Sequence, residues 1–557
     1  MVLRSFGSSF PSSSPAMTVP YFTNGSHLEQ SLVVQKFGGT SVGTAERMLN
    51  VANIVKSTLE KSRVVVVLSA MSSLKKSEGT TSRLLEAADE ALIPESVRFN
   101  DIVDLIESTH LKSVEESIVG DSEAMEALRE EVRADIAAEC RRLKSFLEAA
   151  SVIGEISPRT KDIVISTGEK LAARLFAGVL KSHGVKAVYV NLEKLINRYF
   201  DEKAIDQKFY DYLAMRLSEV LHSAASAYDV VPVVTGYLGP VPGSILTTIG
   251  RGYTDLTAAL IAVGLRASEL QIWKEVDGIF TADPRKAPLA RLLPSISPAE
   301  AAELTYYGSE VIHPFTMEQV IRAKIPIRIK NTFSPEGEGT IILPEEQDDG
   351  ADADELPMSP SGRIRMPPPR HPTAVTIKDH VTVVNVHSNR KSVSHGFFAQ
   401  IFMTLDRNGI VVDLISTSEV HISMALSPNV REYKLEQALT ELRKYGEVDV
   451  IPDLCIVSLV GRQMRNMVGA SAKMFSTLAK NKVNIEMISQ GASEINISCV
   501  VSMEHAQVAL KAIHDDCILA SMLLAEEEEH ARLGKIIPAL SVVDSACALA
   551  SEEGSEQ

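Results

Sequence analysis

At 557 residues the chain is long enough for two or three domains, each able to bury its own hydrophobic core. Hydrophobic residues make up 45% and charged residues 23%, which is typical of a globular protein. The formal net charge is −16 without a strongly basic stripe, which excludes a nucleic-acid backbone as the main partner. No apolar run reaches membrane-spanning length, and the run at 256–265 predicts a core helix instead.

The five cysteines are scattered, without a C-x-x-C pair or a histidine cluster nearby. This pattern predicts buried free thiols in a reducing compartment, and hence a cytoplasmic protein. Residues 1–30 are rich in Ser, Pro and Phe and have no acidic residue before Glu29. A transit peptide is the alternative, but such peptides usually carry more than the single Arg4. We therefore predict a disordered tail at residues 1–30.

The stretch VVQKFGGTSVGT, residues 33–44, places one lysine and three glycines directly after an apolar run. It predicts a short buried strand, a glycine-rich turn and a helix that begins near Ala45, with Ser41 and Thr44 as capping residues. Such a turn before a helix N-terminus is typical of an anion site, although ordinary βα turns also contain glycines. Lys36 precedes the glycines, so the stretch is not a P-loop, and the dinucleotide fingerprint is missing.

Between residues 32 and 343 short apolar runs alternate with helical patterns, which predicts an α/β domain with a mainly parallel sheet. The predicted strands are RVVVVLSA, DIVIST, KAVYVN, VVPVVTGY, ELQIWKEV and IPIRIKN. Two charged stretches near 84–150 are predicted to be exposed helices outside the sheet. Residues 345–372 are acidic and then proline-rich, which predicts a disordered linker. A calcium loop is disfavoured there, because its glycine and final glutamate are absent at the required spacing.

After the linker the sequence repeats itself. FAQIFMTLDRNGIVVDLISTSEVHIS (398–423) aligns with SAKMFSTLAKNKVNIEMISQGASEINIS (471–498). A shift of 73 residues pairs Thr404 with Thr477, Leu405 with Leu478, Asn408 with Asn481, Asp413 with Glu486 and Ser416 with Ser489. Each copy has the pattern strand, helix, turn, strand, strand, so we predict two paired βαββαβ modules.

Several clusters of the first domain occur in a specific order: KFGGTSVG (36–43), STGEKLAARL (166–175), GRGYTDLTAAL (250–260), WKEVDGIFTADPR (273–285) and YGSEVIHP (307–314). Together they resemble the aspartate kinases, and the repeat resembles the tandem ACT domains of that family. Long segments such as ELTYYGSEVIHPFTMEQVIRAKIPIRIKN resemble the monofunctional fungal form. Nothing after the repeat resembles a homoserine dehydrogenase.

The resemblance implies an α/β fold of the amino-acid-kinase type, a three-layer αβα sandwich, followed by two ferredoxin-like ACT domains. The implied domains are 31–344 for the kinase, 373–453 for ACT domain 1, 454–525 for ACT domain 2 and 526–557 for an acidic tail that packs partly on ACT domain 1. The implied reaction transfers the γ-phosphoryl group of ATP to the β-carboxylate of L-aspartate, which opens threonine, methionine and isoleucine biosynthesis. ATP implies Mg²⁺, held mostly by phosphates and water rather than by a dedicated carboxylate cage.

The same resemblance assigns roles to individual residues. Lys36 would neutralise the transferring phosphoryl group, and Asp255 would organise that lysine or the metal. The phosphate-binding residues would be Gly38, Gly39, Thr40 and Ser41; the aspartate-binding residues Thr81, Glu169, Arg251 and Thr254; the nucleotide-binding residues Lys274, Glu275, Phe280 and Arg285. A guanidinium suits a carboxylate because it donates two parallel hydrogen bonds, and a glutamate at the start of a helix suits an ammonium group. A lysine at a strand end or a glutamate in a first helical turn also occurs without any ligand.

Two departures from bacterial relatives affect the nucleotide site. Lys274 and Glu275 replace a Thr-Asp pair, and Glu310 stands where many relatives carry a lysine. The adenine and phosphate contacts at these positions are therefore open. We expect Arg285 and Lys274 to supply the missing positive charge.

For regulation, the resemblance implies an amino-acid effector, with L-threonine favoured over L-lysine by the similarity to the fungal form. The matching regulatory positions are Ser394, Gly396, Phe397, Phe398, Asp413, Ser418 and Glu419. Free N–H groups of the turn SHGFF, before a helix, suit the effector carboxylate, and Asp413 suits its ammonium group. A dimer interface is the alternative; both can hold, because ACT pairs associate across subunits, and we therefore expect a homo-oligomer.

Two rival functions are a kinase of the same superfamily that phosphorylates glutamate, acetylglutamate or a nucleotide, and a non-catalytic amino-acid sensor. The ACT pair and the WKEVDGIFTADPR segment argue against the first. The presence of Lys36, Glu169, Arg251 and Asp255 argues against the second.

Overall fold

The computed structural model describes residues 31–73, 75, 78–201, 205–225, 229–245, 250, 252–306, 312–344, 371–388, 396–418, 420–428, 430–462, 464, 467–491 and 495–524. The predicted N-terminal tail, the predicted C-terminal tail and residues 345–370 of the predicted linker lie outside this part of the chain. The described residues form two β-sheets, one of eight strands and one of six.

The first sheet belongs to the N-terminal domain. Its strands are β1 (Leu32–Phe37), β2 (Arg63–Leu68), β3 (Ala187–Val190), β4 (Val231–Thr235), β5 (Glu269–Lys274), β6 (Ser295–Ile296), β7 (Ile327–Asn331) and β8 (Thr340–Ile342). They are ordered β3-β4-β2-β1-β5-β7-β8-β6, and only the β7–β8 pair is antiparallel among the described strand pairs. The four consecutive valines of β2 are all buried, as expected of a parallel strand covered on both faces.

Helices cover this sheet on both faces. They are α1 (Ala45–Leu59), α2 (Thr80–Glu90), α3 (Arg98–Ser117), α4 (Glu123–Ile153), α5 (Pro158–Ser182), α6 (Gln207–Ala224), α7 (Tyr253–Leu265), α8 (Pro298–Tyr306) and α9 (Pro314–Arg322). Helices α2 to α5 pack against one another as one group, and α6, α7 and α9 form the other. The arrangement is the predicted three-layer αβα sandwich, and α7 is the core helix expected at 256–265.

The prediction of a strand at DIVIST, residues 162–167, is wrong, because these residues lie inside α5. Ser157 caps this helix by accepting a hydrogen bond from the Thr160 N–H at 3.2 Å, and Pro158 occupies the first turn, where its missing N–H costs nothing. Most of α5 is buried, and its polar residues Asp162, Ser166, Glu169 and Lys170 are buried with the rest. A short apolar run in a buried helix cannot be distinguished from a buried strand by periodicity.

The charged stretches near 84–150 form helices α2, α3 and α4, as predicted, but these helices are not fully exposed. Val103, Ile136 and Cys140 are completely buried and belong to the main hydrophobic core. The charged residues occupy the opposite faces, so the three helices are amphipathic additions to the core rather than solvated arms.

The second sheet contains the internal repeat. Its strands are β9 (Ala374–Ser388), β10 (Val412–Thr417), β11 (His421–Leu426), β12 (Gly446–Val460), β13 (Met487–Ser489) and β14 (Asn496–Ser502), in the order β10-β11-β9-β12-β14-β13. The accompanying helices are α10 (Phe397–Arg407), α11 (Glu432–Leu442), α12 (Ala470–Lys480) and α13 (Ala506–Ile513), which continues as a π-helix over His514–Leu519. The predicted pattern of strand, helix, strand, strand is present in both copies.

Equivalent residues of the two repeats have the same local structure. Asn408 donates to the Thr404 carbonyl at 2.8 Å, and Asn481 donates to the Thr477 carbonyl at 2.9 Å. Both asparagines end their helices in the same way because the amide replaces the next backbone N–H. The repeat found in the sequence is therefore a structural repeat.

Strands β9 and β12 are long enough to run through both modules. Residues of β9 up to Lys378 pair with 456–460, whereas residues after Val381 pair with 446–451. His380 and Asp453 lie at the break in this pairing, and both have positive φ, 58° and 55°. The predicted boundary at 453/454 falls at this irregularity.

Cys140, Cys455, Cys499 and Cys517 are buried free thiols, as predicted, and Cys547 lies outside the described residues. No helix within the described ranges combines the length and the apolar character that a membrane span requires.

Candidate active site

Strands β4, β2, β1 and β5 are parallel neighbours, so their C-terminal ends meet at one edge of the first sheet. Strand β1 has β2 on one side and β5 on the other, which makes this edge a point where the chain direction across the sheet reverses. Ligands of open α/β sheets bind at such points. Lys36 stands next to last in β1 and therefore lies at this edge.

The glycine-rich turn after β1 lies directly against the segment that follows β2. A Cβ atom on Gly39 would be 2.2 Å from the Ala70 carbonyl oxygen, and one on Gly43 would be 1.9 Å from that of Ser72. Gly39 also accepts a hydrogen bond from the Ser72 N–H at 2.9 Å. Glycine is thus required here for close approach of two backbones.

A short 3₁₀ helix at Thr40–Val42 follows, and helix α1 begins at Ala45 as predicted. Thr44 caps α1 by accepting from the Arg47 N–H, whereas Ser41 does not cap it. The N–H groups of Gly39 and Thr40 have no partner among the described residues, so they are available to an anion.

Lys36 and Asp255 form an ion pair. The distance between Lys36 Nζ and Asp255 Oδ1 is 2.7 Å, and the two side chains are only 11% and 14% exposed. Asp255 belongs to the first turn of α7, where a carboxylate is favoured by the helix dipole. This contact orients the Lys36 ammonium group toward the edge of the sheet, which is one of the two roles that the sequence left open for Asp255.

Glu169 and Thr254 also meet at this edge. Glu169 is fully buried near the middle of α5, not at the start of a helix as expected, and its Oε1 accepts a hydrogen bond from the Thr254 hydroxyl at 3.0 Å. Its Oε2 has no hydrogen bond of good geometry among the described residues, although Tyr253 and the Tyr237 backbone lie close to the carboxyl. Burial raises the pKa of Glu169 to about 8, against the opposing effects of the groups at Thr254, Tyr253 and Tyr237 and of the Lys36 charge. A buried carboxyl with one unpartnered oxygen can bind a cationic group.

Gly236, directly after β4, makes room for this pair. A Cβ atom at Gly236 would be 2.7 Å from Thr254 Oγ1 and 3.0 Å from Glu169 Oε1. Tyr237 and Tyr253 are also buried close by, and burial raises the pKa of both phenols, with Glu169 contributing. Sequence reasoning missed all three residues. The available signals were the TGY that ends a predicted strand and the tyrosine inside GRGYTDL.

The candidate nucleotide residues follow β5. The Ser41 hydroxyl donates to Glu275 Oε1 at 2.8 Å, which joins the phosphate turn to this segment. Lys274 ends β5 and Phe280 is half-buried five residues beyond Glu275. Arg285 is 88% exposed and donates two hydrogen bonds to Asp283, so its charge is already paired locally. The structure therefore brings Glu275, but not Arg285, into contact with the phosphate turn.

The remaining predicted site residues are distributed as follows. Thr81 is half-buried in the first turn of α2. Its neighbour Thr80 packs against α5, because a Cβ atom on Gly168 would be 3.0 Å from Thr80 Cγ2. Arg251 and Glu310 lie outside the described residues.

The predicted regulatory residues that the structure describes lie at the start of α10 and on or just after β10. Ser394 and Glu419 lie outside the described residues, and Gly396 is the N-cap of α10 with φ 92°. Phe397 and Phe398 begin the helix, and Ser418 follows β10. Asp413 is 11% exposed and forms an ion pair with Lys378 at 2.8 Å. An effector ammonium group at Asp413 would therefore share this carboxylate with Lys378.

The comparisons with known proteins agree with this architecture. The profile of the amino acid kinase family matches residues 31–331, and the profile of an ACT domain matches residues 457–516. Fold and site thus define a kinase of the amino acid kinase family that carries ACT modules.

The relatives narrow this class. The aspartokinase of Candida albicans is 50% identical over 495 residues, which cover 86% of this chain and 89% of that protein. The aspartokinase of Saccharomyces cerevisiae is 48% identical over 510 residues, or 90% of this chain and 95% of that protein. The solved structure of E. coli aspartokinase III in complex with aspartate and ADP is 29% identical, with a TM-score of 0.65, and covers 87% of this chain and 99% of that one.

The chain belongs to the aspartokinase family. It is an ATP-dependent phosphotransferase that phosphorylates the β-carboxylate of L-aspartate to give 4-phospho-L-aspartate. The identities over nearly the whole chain set aside the rival kinase and the non-catalytic sensor.

Proposed function

We propose that Lys36, held by Asp255, neutralises the γ-phosphoryl group during its transfer to aspartate. The observation that carries this proposal is the 2.7 Å ion pair between these residues at the edge where β1 ends. When ATP binds, its phosphate oxygens compete with Asp255 for the Lys36 ammonium group. Phosphoryl transfer depends mainly on positioning and charge neutralisation, so a preorganised cation is the main contribution that this chain can make.

Aspartate binds beside this lysine. Glu169 binds the ammonium group through its unpartnered Oε2, Arg251 binds the α-carboxylate, and the hydroxyls of Thr81 and Thr254 complete the site. A β-carboxylate oxygen then attacks the γ-phosphorus as the bond to the β,γ-bridging oxygen breaks. ADP leaves with the electron pair of that bond, and the product is an acyl phosphate. No proton has to move, because the nucleophile is already an anion.

The nucleotide lies against the glycine-rich turn and the segment after β5. Gly38, Gly39, Thr40 and Ser41 of the turn face its phosphates, in part through their free N–H groups. Lys274, Glu275 and Phe280 bind the remainder, and Arg285 joins them once it releases Asp283. Mg²⁺ accompanies ATP and supplies further charge neutralisation. The carboxylates that fit it are Asp255 and Glu275, which bond to Lys36 and Ser41 of this same edge, with phosphate and water oxygens as the other ligands.

The ACT modules regulate the enzyme by binding an amino acid, and we favour L-threonine. The high identity to fungal aspartokinases supports this choice, whereas E. coli aspartokinase III, which was solved with lysine and aspartate, is only 29% identical. The predicted effector site is the N-terminus of α10 together with Asp413. ACT modules of two chains are expected to associate, which makes the enzyme a homo-oligomer. The buried free thiols support a cytoplasmic location.

One assay tests these assignments. Purified protein is mixed with Mg-ATP and a single amino acid, and hydroxylamine traps the acyl phosphate. We expect trapping with aspartate alone, loss of trapping when EDTA removes Mg²⁺, and inhibition by threonine but not by lysine. Trapping that persists in EDTA would refute the role of the metal, and inhibition by lysine alone would refute the choice of effector.

A further inference from the structure

The segment from Glu275 to Thr281 is held at alternate residues. Glu275 accepts from Ser41 at 2.8 Å, Asp277 accepts from Asn331 at 2.9 Å, and the Ile279 N–H donates to Thr340 at 2.8 Å. Phe280 therefore lies between two anchored residues, Ile279 and Thr281. The first residue of the segment, Glu275, contacts the phosphate turn, and the last, Thr281, contacts the second ACT module.

Thr281 is held by the second ACT module. Its hydroxyl is 3.0 Å from Nε2 of His514, the first residue of the π-helix, and it accepts from the Arg291 N–H at 2.9 Å. Nδ1 of the same imidazole is 3.0 Å from Asp515 Oδ1. Since the threonine oxygen already accepts from Arg291, its own hydrogen is free to donate to Nε2, and Nδ1–H then donates to Asp515.

Hydroxyl, imidazole and carboxylate follow one another here as they do in hydrolases, but the hydroxyl and the imidazole are buried, and of the three groups Asp515 alone is partly exposed, at 33%. Thr281 is 0% exposed and His514 1% exposed. A hydroxyl and an imidazole so deeply enclosed position their neighbours and have no access to a substrate.

The same segment also completes the core of the ACT module. Ala282 and Ala287 belong to the hydrophobic cluster formed by β12, α12, β14 and α13. The Thr281 carbonyl accepts from the Val375 N–H, at the start of β9, at 2.8 Å. The candidate nucleotide segment is thus built on the regulatory module as much as on the kinase domain.

We propose that His514 is a positioning residue for the nucleotide: through Thr281 the second ACT module holds Phe280 in the place where it contacts ATP. This proposal rests on the assignment of Phe280 to the nucleotide site. The regulatory module then contributes directly to ATP affinity, even without an effector.

The test compares two identical substitutions that each remove one buried hydroxyl. Thr281→Val removes the contact with His514 and also the acceptor for the Arg291 N–H, whereas the control Thr477→Val removes a 3.2 Å bond to Asp516 of the same π-helix, inside the ACT module. His514→Leu leaves the Arg291 bond in place. The domains stay joined in both threonine variants, because Glu300 still accepts from the Thr373 hydroxyl at 2.6 Å. We expect Thr281→Val to raise the KM for ATP about two- to tenfold with an unchanged KM for aspartate, and Thr477→Val to change neither.

Three further variants separate the possible failures. Thr281→Ser, which restores the hydroxyl, should restore the KM for ATP; His514→Leu should reproduce the defect of Thr281→Val. Phe280→Ala tests the underlying assignment. If Phe280→Ala raises the KM for ATP while Thr281→Val and His514→Leu do not, the positioning role is refuted. If Phe280→Ala leaves the KM for ATP unchanged, the assignment of Phe280 has failed, and this proposal with it.

Discussion

The raised pKa of Glu169 predicts how aspartate affinity depends on pH. In the free enzyme the carboxyl is buried without a cation at Oε2, and its pKa is about 8. Aspartate brings an ammonium group, which favours the ionised form of Glu169. Binding must therefore remove a proton from Glu169 whenever the pH lies below about 8.

The magnitude follows from the pKa. At pH 7 about nine-tenths of the free enzyme carries the proton, so aspartate binding should release about 0.9 proton. Below pH 8 the KM for aspartate should fall about tenfold for each unit of rising pH, and it should level off above pH 8. The KM for ATP should show no such slope, because Glu169 does not contact the nucleotide in the proposed arrangement.

Steady-state kinetics between pH 6 and 8.5 measures the slope, and calorimetry in buffers of different ionisation enthalpy counts the protons released. Glu169→Gln is the matched variant, since it keeps the shape and removes the titration. It should bind aspartate more weakly and with no pH dependence of KM. A flat KM for aspartate in the unmodified enzyme, or the same slope in Glu169→Gln, would refute the reasoning.

The raised pKa of Glu169 also affects the stability of the fold. The pKa is 4.5 for an ordinary glutamate and about 8 in the native state, so the native state binds more protons than the unfolded state between these values. The stabilisation from Glu169 is fully present below pH 4.5 and is lost as the pH rises through about 8. The shift corresponds to about 5 kcal/mol in the free energy of unfolding. The difference in unfolding free energy between the unmodified enzyme and Glu169→Gln should follow this course.

Three substitutions test the other contacts. Lys36→Ala should lower kcat about 10²-fold or more, roughly 3 kcal/mol of transition-state stabilisation, and activity within a few-fold of normal would refute its role. Gly236→Ala forces a methyl group against Thr254, so it should cost about 1 to 3 kcal/mol of stability and raise the KM for aspartate; an unchanged KM would show that the pair tolerates displacement. Asp413→Ala should abolish threonine inhibition at nearly normal kcat, and Asp413→Ala/Lys378→Met is the charge-matched control. If threonine still inhibits at an unchanged concentration, the effector binds elsewhere, and the region around Glu486 in the second repeat is the next candidate.

Local sequence determined much of this protein. The glycine-rich turn after a valine-rich strand, the Thr44 cap of α1 and the repeat that pairs Asn408 with Asn481 are all present as predicted. These features depend on residues close together in the chain, where side-chain size, hydrogen-bonding capacity and periodicity act directly. The family resemblance placed Lys36, Glu169 and Asp255 in one site without giving their contacts.

Only the tertiary structure decided which distant residues meet. Lys36 pairs with Asp255, Glu169 with Thr254, Asp413 with Lys378, and Thr281 with His514 across two domains. It also decided that DIVIST is helical, because a short apolar run is equally compatible with a buried strand and a buried helix. Partners this far apart in the chain are chosen by the packing of whole elements, and the pKa of Glu169 is set by that same burial. Neither is encoded in any short stretch of sequence.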